Sequence, residues 1–144
     1  MNYEDKVELA EVFKKRTKKF AIDIIKLSPS FPKSPEGYIL VKQLIRSATS
    51  VASNYRAVCR ARSKAEFYSK ICIVVEEADE SVFWLEVITE ADILNNERTK
   101  TLLTEANEIL SVVASSKRTA GNHSIKSINQ QFNNSIIQPI NNSL

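Results

Sequence analysis

Apolar residues return every three to four positions through most of the chain, and the stripes they make predict four helices. From about Asp5 to Leu27, the residues Val7, Ala10, Phe13, Thr17, Phe20, Ile24 and Leu27 keep this spacing, which marks an amphipathic helix with one face to bury. Lys14, Lys15, Arg16, Lys18 and Lys19 fall mostly on its wet side. The segment SPSFPKSPEGY then carries three prolines; each lacks a backbone donor and disfavours helix at the residue before it, so the helix must stop. Phe31 is expected to plug the end of the core from this loop.

A second stripe, Val41, Leu44, Ala48, Val51, Tyr55 and Val58, predicts a helix from about Pro35 to Arg60. Ser34 is its cap and Pro35 its first residue, where a missing N–H costs nothing. Its centre, Ser47 to Ser53, is a run of small side chains that would let a neighbouring backbone approach closely. Ser63, with Glu66 three residues on, has the capping-box pattern and should start a third helix. Phe67, Ile71, Val74, Ala78, Ser81, Leu85 and Ile88 carry that helix to about Leu94. The few residues around Ala61 and Arg62 leave these two helices no choice but to fold back as an antiparallel pair. Asn95 or Asn96 ends the third and caps a fourth, from about Glu97 to Ser116, striped by Leu102, Leu103, Ala106, Ile109, Leu110 and Val113. The expected fold is therefore all-α, an antiparallel up-down-up-down four-helix bundle over residues 1–120. From Gly121 the chain is over half Asn, Gln and Ser without a sustained period, and residues 121–144 read as a flexible C-terminal tail.

Composition narrows the function. With 144 residues and 43% hydrophobic content the chain suits one globular domain, and two glycines argue against a glycine-loop nucleotide fold. No apolar run is long enough to cross a bilayer, and MNYEDKVELAEVFKK is charged where a signal peptide would be apolar, so a cytoplasmic protein without membrane contact is expected. Cys59 and Cys72 read as reduced, mostly buried fillers. The sole histidine, His123, lies in the polar tail. No usual zinc or iron site, cofactor loop or catalytic triad can be assembled, so the expectation is a non-enzymatic protein with no cofactor. Glu76 and Glu80 lie four apart as in carboxylate-bridged metal bundles, but the Glu-x-x-His pairs of such sites are missing, and a solvated acidic face is the better reading. Tyr55, Tyr68 and Trp84 read as half-buried packing or interface residues.

Net charge is +3, but its distribution is uneven. Residues 14 to 70 hold fourteen Lys/Arg against three Asp/Glu, and residues 71 to 108 hold two against ten. Arg56, Arg60, Arg62, Lys64 and Lys70 surround the turn between the second and third helices with Glu66 opposing them. Planar guanidinium forks suit phosphate oxygens, so these five, helped by Lys14, Lys15, Lys18 and Lys19, are the candidate contacts to an RNA or DNA backbone. A basic run is usually no more than a solvated face. The competing functional reading is a protein-interaction scaffold, in which basic and acidic flanks of successive copies, or of a protein partner, meet head to tail.

Phe31-Pro32, Glu36-Gly37-Tyr38, Gln43-Leu44-Ile45-Arg46, Ser50-Val51, Asn54, Arg62-Ser63, Glu66-Phe67 and Trp84-Leu85-Glu86 together resemble the bacterial four-helix bundle proteins first noticed as products of intervening sequences in 23S ribosomal RNA genes. The resemblance spans roughly Phe13 to Val113. It departs at Ala57-Val58, where most members carry Glu-Gly. What it implies is a bundle assembled as a homopentamer, with kinship to the accessory protein of diversity-generating retroelements, a partner of reverse transcriptase and nucleic acid. It brings no catalytic residues.

Overall fold

The computed structural model describes the backbone of residues 1–141, with side chains for residues 1–122 and 130. Four helices follow one another: α1 (Tyr3–Leu27), α2 (Pro35–Val58), α3 (Lys64–Glu90) and α4 (Glu97–Asn141), with one 3₁₀ turn at Ser28–Ser30. Each packs on its neighbours in sequence, and α4 closes the bundle by returning beside α1, which it touches most sparingly. This is the up-down-up-down arrangement that the stripes predict.

Side chains set every helix start. Asn2 and Asp5 cap α1 reciprocally, the Asp5 N–H donating to Asn2 Oδ1 at 2.8 Å and the Asn2 N–H to Asp5 Oδ2 at 3.0 Å. Ser34 accepts from the Gly37 N–H at 3.1 Å, with Pro35 at the first position. At α3, Ser63 accepts from the Glu66 N–H at 3.1 Å, but Glu66 returns the favour to the Arg62 N–H at 2.8 Å, one residue before the cap. Asn96 caps α4 by accepting from the Thr99 N–H at 2.9 Å.

Phe20, Ile24, Leu27, Leu44, Val51, Ile71, Val74, Leu85, Ile88, Leu102, Ile109 and Val113 form the core, and Phe31 plugs its end as expected, 7% exposed. The small centre of α2 contributes Ser47, Ala48 and Val51 to this core, while Ser53 stays in solvent. Ser47 and the buried Ser81 meet across the α2–α3 seam with hydroxyls 3.0 Å apart. Ser81 Oγ also lies 2.9 Å from the Glu77 carbonyl and Ser47 donates to the Leu44 carbonyl at 3.2 Å, so burial leaves neither hydroxyl unpaired.

Three expectations need correction. The stripe of α1 is dry only from Thr17 onward; Val7 is 45% exposed, and nothing before Phe13 is more than half-buried. Helix α3 ends at Glu90 rather than near Leu94, because Asp92 turns left-handed (φ 55) and the N–H groups of Asp92 and Ile93 fold back onto the Thr89 and Ile88 carbonyls. This is a Schellman stop. Helix α4 continues past Ser116 to Asn141: Gly121 is accommodated within the helix beside Tyr68, where an added Cβ would lie 3.3 Å from the ring. The expected flexible tail, residues 121–144, concerns positions most of whose side chains lie outside the described residues. No helix is long and apolar enough to cross a membrane among the described residues.

Candidate nucleic-acid interface

The nine candidate cations do not form one surface; the bundle divides them. From Gly37 to Ala65 the chain contains no carboxylate, and the outward row of α2, read at helical spacing, is Lys42, Arg46, Thr49, Ser53, Arg56 and, just past its end, Arg60. Lys42, Arg56 and Arg60 are exposed and form no ion pair among the described residues. Arg46 is different. Its guanidinium reaches across the seam to Glu80 and, at 3.5 Å, to Glu77, so it is held by the fold.

Beside this row runs α1. Phe13 packs edge-on against Tyr55, ring centroids 4.8 Å apart, and Lys14 and Arg60 both act electrostatically on the Cys59 thiol, placing them together. Lys18, one turn beyond Lys14, continues that flank. Lys15 points away from the bundle, as does Lys19. Neighbouring carboxylates hold two of these lysines, Glu11 pairing with Lys14 and Asp23 with Lys19. Lys70 lies two turns before Glu77, on the side of α3 turned to α2, and is half-buried. The wall at hand for phosphates is thus Lys42, Arg56 and Arg60, with Lys14, Lys18 and Lys70 at its margins.

Arg62 and Lys64 face elsewhere. They rim a groove of about 1050 Å³ between the first half of α1 and the stretch of α4 from Val112 to Ala120, floored by Leu9, Val12, Phe13 and Phe67. This groove exists because α1 and α4 barely touch at that end. Farther along, Arg16 closes the seam with a two-pronged bond to Glu105, Nε to Oε1 and Nη2 to Oε2 at 2.7 Å each, and a second pair to Glu108. Hydrogen bonding to Glu105 raises the Arg16 guanidinium's affinity for its proton further, despite partial desolvation.

Sequence reasoning left Lys42 out of the cationic set, and the groove escaped it altogether. The carboxylate-free run from Gly37 to Ala65 was the available signal for the first. The second depends on how sparingly two distant helices meet.

Tyr55 is pushed up from the ordinary phenol value, chiefly by burial and then by Cys59. Cys59 is exposed rather than the buried filler expected, yet desolvation outweighs the Tyr55 hydrogen bond and pushes its thiol up; a poorly ionised thiol is a poor nucleophile. Cys72 is half-buried and, like Cys59, free. Trp84 donates from Nε1 to Glu80 at 3.1 Å and meets Phe83 edge-on, both on its own helix, and packs half-buried against the core. No cluster of three or more His, Cys, Asp or Glu is placed to hold a metal among the described residues.

A four-helix bundle whose distinguishing surface is a cationic helix without carboxylates beyond its first turn defines a class of protein by its fold and charge. Comparison with known proteins makes the assignment: the sequence model of the 23S rRNA-intervening sequence protein family matches residues 10–115, and the chain belongs to that family. It is similar to a Bacteroides thetaiotaomicron protein of the S23 ribosomal protein family, described as of unknown function, at 28% identity and a TM-score of 0.66. The similarity covers 72% of this chain and 96% of that one. No functionally curated protein matches the sequence.

Proposed function

We propose that this is a non-enzymatic protein that binds the backbone of RNA or DNA along the outer face of α2. The observation that carries the reading is the exposure of Lys42, Arg56 and Arg60, without ion pairs among the described residues, on a helix whose one carboxylate is Glu36 at its start. Cations bound to carboxylates are spent on the fold; these are available to phosphates. Backbone contacts of this kind read charge and shape rather than base sequence. Lys18 and Lys70 extend the contact, while Lys15, with Lys14 and Lys19, which Glu11 and Asp23 hold, adds to the local field. Arg62 and Lys64, which line the groove between α1 and α4, lie outside this contact.

The second reading is a protein-interaction scaffold, favoured by the apolar groove and by the exposed acids of α3, Glu76, Asp79, Glu86 and Glu90. In it the basic face of one copy meets the acidic face of the next, closing a ring of five on the family resemblance. Charge reversal at Arg56 and Arg60, with nucleic-acid affinity and particle mass measured on one sample, separates the two. Phosphate binding predicts a several-fold or greater loss of affinity for mixed-sequence RNA or DNA, a salt slope smaller by about one unit per lost contact, and an unchanged mass. A collapsed mass, or an unmodified protein that binds neither polymer at physiological salt, overturns it.

A further inference from the structure

At the end of the bundle where α1 and α3 begin, the groove between α1 and α4 has a polarity of its own. Its floor is Leu9, Val12, Phe13, Phe67 and Val112, of which Leu9 and Val12 are 54% and 57% exposed. Apolar side chains gathered in one concavity, rather than scattered singly, mark a surface that meets something apolar. The hydroxyls along the α4 wall are satisfied within their own helix: Ser116 donates to the Val112 carbonyl at 3.1 Å and Thr119 to the Ser115 carbonyl at 3.2 Å. The Tyr55 hydroxyl is engaged with Cys59. The middle of the groove therefore presents little besides hydrocarbon.

Charge is confined to its two ends. Lys6, Arg62 and Lys64 stand at the outer end, because the topology brings the starts of α1 and α3 together there. None of the three is ion-paired among the described residues. At the inner end Arg16 is already held by Glu105 and Glu108 and closes the groove. Among the described residues no carboxylate lines it; Glu66 accepts from the Arg62 N–H, and Asp5 and Glu8 line a neighbouring hollow on α1. From Lys6 to Arg16 the helix rises roughly 15 Å, about the reach of an extended alkyl chain of a dozen carbons. The groove's volume of about 1050 Å³ is ample for one such chain.

We propose that the groove binds a free long-chain carboxylate, its head group at the end rimmed by Lys6, Arg62 and Lys64 and its alkyl chain laid over Leu9, Val12, Phe13 and Phe67 toward Arg16. The asymmetry of the groove selects this ligand. An acidic amphipathic helix would call for cations spaced along its length, whereas here they gather at one end of an apolar trough. An uncharged chain leaves those cations without a partner, and a cationic one is repelled by them. Covering the apolar floor supplies most of the affinity; the head-group pairs, within reach of water, set orientation and the preference for negative charge. The site shares no residue with Lys42, Arg56 and Arg60, so it does not depend on the phosphate reading.

The test is calorimetric titration of the full chain with dodecanoate below its micelle concentration, which should show saturable binding of one molecule per chain. Dodecanol and dodecyltrimethylammonium, which have the same chain without the negative charge, should bind several-fold more weakly. Octanoate should bind at least tenfold more weakly than dodecanoate, since each buried methylene contributes. Arg62→Glu with Lys64→Glu should weaken dodecanoate several-fold and leave dodecanol unchanged. Val12→Gln, at a position exposed enough for the variant to keep its helical circular dichroism, should weaken both. Absence of saturable dodecanoate binding, as when a partner helix or another copy fills the groove, overturns the proposal. So does equal affinity for the three twelve-carbon amphiphiles, which is detergent behaviour, or dodecanoate binding that either variant leaves unchanged, which places it elsewhere. Affinity for nucleic acid, read on the same samples, tests the phosphate face separately.

Discussion

At the scale of single residues, the α2–α3 seam is held by a compact polar group. Arg46 and the Trp84 indole both donate to Glu80 Oε1, and these two bonds hold the Glu80 carboxyl below its usual range against the opposing pull of desolvation. A carboxylate whose folded pKa is depressed contributes stability that is fully present above its unfolded pKa, about 4.3 for Glu. That contribution is lost as pH falls through the lower folded value. Glu80→Gln should therefore lower the melting temperature at neutral pH, and the gap to the unmodified protein should narrow as pH is taken below the ordinary glutamate range, as thermal unfolding across that range would show. Beside it, Glu77 Oε2 is buried without a hydrogen bond and is balanced by the charge of Arg46 alone. Removing Arg46 would strand two partly buried acids, whereas removing Arg56 strands nothing.

The elements show how far sequence pattern reaches. All four helices and the three caps at Ser34, Ser63 and Asn96 were legible, because stripe and cap are local properties of ten or fewer residues. The end of α3 was not: Ile93 and Leu94 supply further apolar residues after Ile88, though off its three-to-four spacing, and the stop is made by Asp92 adopting a left-handed turn that carries no glycine to announce it. Nor was the idle first half of α1 legible, since Val7 and Ala10 keep the period of the core and depth of burial depends on where α4 runs. The groove and the division of the cations follow from that same tertiary fact. Loop and helix meet most tightly at Gly37, where an added Cβ would fall 2.1 Å from the Pro32 carbonyl oxygen. That neighbour is backbone, so it cannot swing aside. Gly37→Ala should destabilise the bundle by about 1–3 kcal/mol, the cost typical of overpacking, even though alanine is the better helix former. Chemical denaturation would reveal the loss, and a neutral outcome would mean that the Phe31-Pro32 loop is not fixed against α2.

For the molecule as a whole, the question is which cations fold the bundle and which remain for a partner. Arg16 and Arg46 each lie across a seam between helices and each engages two carboxylates. Lys42, Arg56 and Arg60 are exposed on one outer face, with no ion pair among the described residues. Charge alone does not distinguish the two sets, but their partners do, and opposite behaviour under substitution follows. Arg46→Ala should lower the melting temperature by roughly 2–5 °C, the shift expected from losing a partly exposed ion pair in a domain of this size, and leave affinity for RNA or DNA nearly unchanged. Arg56→Ala with Arg60→Ala should leave the melting temperature within about a degree while weakening binding and flattening its dependence on salt. Both measurements can be made on each purified variant. If the Arg56/Arg60 variant instead melts lower and binds as before, the outer face of α2 belongs to the architecture and the phosphate reading of this surface fails.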